Sequence, residues 1–220
     1  MGMRLLAIPA KKMVLSHRAG KKEEACMSEW VDWFSDQLTQ QAIDEFSRAW
    51  HAKHTVRATT NYLTQNTALG GLGELTFEKI LTQAGLTKNK HFHKVEEKSQ
   101  ADYIIHTHPE LHIDVKTLVT KSYPKDDYSA EVAKKQLMNP GVNMYAFCYF
   151  VRTTNTVVLL GIMAKHTFQK NAIELTKGIM RGKFTVKEDV MQVQIKELST
   201  IESLLKWVIP NLKIPLDKQQ

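Results

Sequence analysis

Two apolar runs in the second half of the chain, residues 144–152 and 157–163, constrain the fold most. They read as two strands of a core sheet, with Thr153-Thr154-Asn155-Thr156 as the turn between them. Three shorter strands are predicted upstream, over 92–95, 102–106 and 111–119, with Pro109 in the turn between the last two. The earlier part of the chain has helical spacing instead. Trp30, Trp33, Phe34, Leu38, Ile43 and Phe46 suit one or two amphipathic helices over 28–50, capped by Ser28. A second helix starts at Asn61 or Thr67 and ends at Gln83. Leu75, Phe77, Ile80 and Leu81 form its apolar side and Gly85 its stop.

Downstream, the pattern predicts a helix over 129–138, stopped by Asn139-Pro140-Gly141, and helix or loop over 164–182. A late hairpin is expected from 184–186 and 190–195, then a final helix over 200–208 before Pro210. The order helix, strands, helix, strands predicts an α/β fold: a central mixed sheet flanked by helices. Residues 1–60 are expected to form an N-terminal arm and helical region, and residues 61–220 the core with its C-terminal hairpin and helix.

The chain has 220 residues, 43% of them hydrophobic, enough for one domain with a real core. Its formal net charge of +7 favours an acidic polymer as partner, nucleic acid first and anionic membrane second. Cys148 lies in an apolar run and reads as a small buried hydrophobe, whereas Cys26 lies in a charged segment. Two such cysteines make neither a disulfide framework nor a cysteine zinc site, so a reducing compartment is expected. The apolar stretch near the N-terminus, residues 5–9, is too short for a secretory core or a membrane span. The expected protein is soluble and cytoplasmic, with no membrane partner.

Chemistry concentrates around Asp102 and Asp114-Val115-Lys116. Asp114 and Lys116 are two residues apart, so on a strand both side chains leave the same face. Carboxylates beside an ammonium group are the minimum equipment for metal-assisted phosphodiester cleavage. Acids are disfavoured in strand interiors, yet Asp114 sits between Ile113 and Val115. Glu74 offers a further acid from the helix upstream. Each residue also has a plain structural role open to it: Asp102 as a turn residue, Asp114 and Lys116 as a surface ion pair, Glu74 as a first-turn acid matching the helix dipole.

Glu74 on a helix, Asp102 at a strand end and Asp114-Val115-Lys116 on the next strand resemble the PD-(D/E)xK nuclease superfamily, over roughly residues 67–163. Ala101 stands where the motif name has proline. The resemblance implies a restriction-endonuclease-like core and a Mg²⁺-dependent DNA endonuclease, with Mn²⁺ as a possible substitute. It implies that Glu74, Asp102, Asp114 and the Val115 carbonyl hold the metal and that Lys116 orients the attacking water. A homodimer is expected where two strands are cut. Gln136 is an optional contact from the next predicted helix. The Gln-x-x-x-Tyr pattern of exonuclease-like members is not matched, because Pro140 occupies its last position.

Three other readings compete. One is a non-catalytic nucleic-acid-binding protein on the same fold, and another a junction- or end-processing nuclease. The third is an assembly protein whose basic charge is incidental. His91, His93, His106, His108 and His112 also raise the idea of a zinc site, which Pro109 disfavours by breaking the geometry at His106 and His108.

Overall fold

The computed structural model describes residues 35–37, 61–95, 101–107, 109–181 and 184–209. Its main sheet has six strands: β1 (Ser35–Gln37), β2 (Phe92–Lys94), β3 (Tyr103–Ile105), β4 (Leu111–Thr120), β6 (Met144–Val151) and β7 (Thr156–Ala164), in the order β1-β7-β6-β4-β3-β2. The sheet is mixed, because β4 and β6 run parallel and all other neighbours antiparallel. Strand β6 lies between β4 and β7 with both faces covered, and seven of its eight residues are buried. A strand buried on two faces reads as a continuous apolar run, and that is why this segment was the plainest in the sequence.

The two faces of β6 belong to two cores. Ala146, Cys148 and Phe150 join Leu111, Ile113 and Val115 of β4 against helix α1 (Asn61–Gln83) and helix α3 (Ile201–Val208). Leu69, Leu72, Thr76 and Ile80 form the buried stripe of α1 at helical spacing. The helix ends at Gly85, whose φ of +90° suits glycine; the Gly85 amide donates to Thr82 O and the Leu86 amide to Leu81 O. On the other face, Tyr145 and Phe147 pack with Phe168 of helix α2 (Lys165–Asn171) and with Val132 and Val193. Those valines come from a second sheet, β5 (Ser129–Ala133), β11 (Val190–Gln194) and β8 (Ile173–Leu175), in the order β5-β11-β8. Cys148 is a free thiol whose burial pushes its pKa up to about 12, so it packs as a hydrophobe.

Three expectations need correction. Residues 129–138 are not a helix: β5 is followed by a 3₁₀ turn, Lys134–Met138, with Gln136 exposed on it. Antiparallel pairing of β5 with β11 over Ser129–Ala133 overrides the local helix preference. The late hairpin is also different. Strand β10 (Phe184–Thr185) pairs back with β9 (Met180–Arg181), while β11 pairs with β5 and β8. Third, Ser35–Gln37 is a strand paired with Thr156–Val158, so part of the expected helical region belongs to the main sheet. The remainder of the predicted 28–50 helix, Cys26, His108 and the chain beyond residue 209 lie outside the described residues. Among the described residues no helix is long and apolar enough to cross a membrane.

Candidate active site

Strand β3 ends too early to cover β4. It pairs with Leu111, Ile113 and the residue between them, and β4 then continues to Thr120 with no β3 partner. Asp102 stands where β3 begins, at the edge of that gap. Its amide donates to Ile113 O at 2.9 Å, and its Oδ2 accepts the Val115 amide at 2.7 Å. The Asp102 carboxylate thus replaces the missing strand in the plane of the sheet. In an extended strand a residue's N–H and C=O leave on the same side. The Val115 carbonyl therefore leaves β4 toward the same gap.

The other candidate residues approach Asp102 from both sides of that plane. Val115 packs in the α1 core, so by alternation Asp114 and Lys116 leave β4 on the opposite face. There Lys116 Nζ meets Asp114 Oδ2 at 2.6 Å, with the two side chains only 17% and 15% exposed. Glu74 comes from α1, where its Oε2 meets Lys94 Nζ of β2 at 2.7 Å. Lys94 also lies over the Tyr103 ring, 5.9 Å from its centroid.

The charges act on one another. Burial, then the carboxylates of Glu74 and Asp114, push the Asp102 carboxyl up from 3.8 to about 8. The Val115 amide and Lys116 pull the other way and lose. Asp102 is the point where the fields of both other acids meet. The Tyr103 hydroxyl donates to Glu74 O at 2.9 Å and to Glu78 Oε2 at 3.2 Å, and tethers α1 to β3 beside the acids.

Helix α1 is able to lie this close because of Gly73. A Cβ there would stand 1.9 Å from Thr117 Oγ1 and 3.1 Å from Thr117 Cβ. Glycine at 73 sets the distance between α1 and β4, and so the reach of Glu74. Neither Gly73 nor Lys94 was singled out as a site residue in the sequence. The only available signal was the run Gly70-Gly71-Leu72-Gly73 directly before Glu74, which marks close approach of a helix.

A hard divalent cation suits this donor set in kind and charge. The donors are all oxygens, and a carboxyl held near 8 by its acidic neighbours marks negative charge in excess. The Tyr145 hydroxyl, beside Asp114 in register, is buried without a hydrogen-bond partner. Coordination would nonetheless require side-chain movement. Among the described residues no three His, Cys, Asp or Glu side chains are gathered tightly enough to hold a metal. Lysines occupy two of the three carboxylates. The structure therefore brings Glu74, Asp102, Asp114 and Lys116 together in charge but not in coordination. Gln136 is not among the groups that act on Asp102.

The histidines form a separate group. His93 Nδ1 and His106 Nε2 are 3.0 Å apart with stacked rings, and Glu110 contacts His106 at 3.2 Å and His112 at 3.6 Å. His91 is turned inward to accept the Thr87 amide.

Comparison of the chain with protein-family models, with curated proteins and with solved structures finds no match.

Proposed function

We propose that this chain is a divalent-metal-dependent nuclease of the restriction-endonuclease-like kind, acting on DNA. One observation carries the reading: Asp102 fills the open edge of β4 within the field of Glu74 and Asp114, and Lys116 stands beside Asp114. A cluster with this much unrelieved negative charge repels phosphate unless a cation stands between them. Mg²⁺, with Mn²⁺ as substitute, would be held by Asp102, Asp114, the Val115 carbonyl and Glu74. When bound, the ion would polarise the phosphodiester and acidify a water.

The chain's own groups do the rest. Asp102 gives up its proton as the cation arrives, because its raised pKa reflects neighbouring negative charge that the cation neutralises. Lys116 exchanges Asp114 for the phosphate and the attacking water, which it orients and whose developing charge it offsets. Lys94 in turn leaves Glu74. The basic surface supplies affinity for the DNA backbone without reading sequence.

The test is cleavage of supercoiled plasmid by the purified protein. Nicking that requires Mg²⁺ and stops with EDTA is expected. Asp114→Ala and Lys116→Ala should each lower the rate about a hundredfold or more while the far-ultraviolet circular dichroism spectrum is unchanged. Cleavage retained in both variants would assign the activity to other residues. Salt-sensitive plasmid binding with no cleavage in any divalent metal would favour the non-catalytic binder.

A further inference from the structure

Strands β9 and β10 form a two-stranded ribbon that joins neither of the other sheets. Its rungs are Met180 with Thr185 and Arg181 with Phe184, and the Val186 amide donates to Ile179 O below them. At its base the Gly178 amide donates to Val186 O, and the Lys177 amide to Asp189 Oδ1. Ile179 is 46% exposed and Met180 63% exposed. Neighbouring residues on an extended strand point to opposite faces, so the body of the protein covers neither face of the ribbon at this level. An isolated hairpin is marginal in water, and one with apolar residues bare on both faces suits a partner with two walls.

Charge selects the partner. Residues 177–187 contain Lys177, Arg181, Lys183 and Lys187 and no acid. A two-stranded β-ribbon matches the width of a duplex major groove, whose walls are phosphates and whose floor carries thymine methyl groups. We infer that the β9–β10 ribbon is a duplex-DNA contact, inserted in the major groove with its lysines on the phosphates and Ile179 and Met180 on the base edges. The inference rests on the nucleic-acid half of the proposed function and not on the metal site.

The experiment is fluorescence-anisotropy binding to a mixed-sequence labelled DNA duplex in EDTA, so that the metal site is silent. The full-length wild type is compared with Ile179→Ser/Met180→Ser and with Lys177→Gln/Lys187→Gln. The apolar pair should weaken binding about tenfold with an unchanged salt slope. The lysine pair should weaken it and flatten the log–log salt slope by about one per charge. All variants should keep the wild-type thermal midpoint, because the altered side chains are exposed. Wild-type affinity in both double variants would overturn the inference and leave the nuclease reading standing, provided the wild type still cuts. Absence of duplex binding by the wild type would overturn both. Variants that keep duplex affinity but lose binding to anionic phosphatidylserine vesicles would reassign the ribbon to a membrane surface.

Discussion

Lys116 and Lys135 each hold a carboxylate at 2.6 Å, yet the two contacts differ in almost every other respect. Lys116 and Asp114 are mostly buried on the flank of β4. Lys135 and Glu188 lie on the second-sheet side of the molecule, 74% and 50% exposed. Lys134 and Glu174 form a similar exposed pair nearby. In water such a pair is worth little, and nothing near it is disturbed. In the half-buried region the same kind of contact sits beside a carboxyl that its neighbours hold largely protonated at neutral pH. Surface pairs decorate a fold. A half-buried cluster with surplus charge costs stability, and that cost is tolerated where a ligand will neutralise it.

The largest expected effect follows from Asp102. Its folded pKa, about 8, lies above the model-carboxylate value of 3.8. Between those values the folded chain keeps a proton that the unfolded chain has lost, so this residue makes stability fall as pH rises through that window. The metal-free protein should therefore melt at a higher temperature at pH 6 than at pH 8. Asp102→Asn, which keeps an oxygen for the Val115 amide, should flatten that difference and be more stable than wild type at pH 8. Differential scanning calorimetry in EDTA measures both. A wild-type midpoint that rises from pH 6 to pH 8 would erase the contrast between the two regions.

A smaller effect tests the helix that carries Glu74. Gly73→Ala should destabilise the fold by about 1–3 kcal/mol, because the added methyl group meets Thr117, and plasmid cleavage should fall with it. Gly70→Ala is the internal control. Nothing lies within 4 Å of its Cβ, so relief of glycine entropy in the helix should stabilise by about 0.5–1 kcal/mol. Urea denaturation resolves the two signs. The smallest effect belongs to the exposed pair: Lys135→Ala should change stability by no more than about 0.5 kcal/mol and leave cleavage untouched.

Much of this contrast could be read from residues alone, and the reasons are physical. Strands β2, β3, β4, β6 and β7 fell close to their expected bounds because apolar runs and alternation report burial directly. Asp114 and Lys116 were legible as a pair because two-residue spacing fixes a shared face. Strand β5 was not legible. Its Ser-Ala-Glu-Val-Ala stretch has no strand propensity strong enough to outvote the helix-favouring Lys134, Lys135 and Gln136 that follow, and its pairing partner β11 is about sixty residues away. The in-plane position of Asp102 depends on β3 stopping early. The reach of Lys94 depends on β2 lying beside β3 at the sheet edge. Neither register leaves a mark in the local sequence.

The most direct test of the central claim is Mn²⁺ titration of the purified protein near pH 7, followed by calorimetry in buffers of different ionisation enthalpy. The account predicts that Mn²⁺ binds with release of a proton from Asp102. It also predicts that Asp102→Asn and Asp114→Asn each weaken binding at least tenfold. Binding of equal strength in wild type and both variants, or binding that releases no proton, would contradict it.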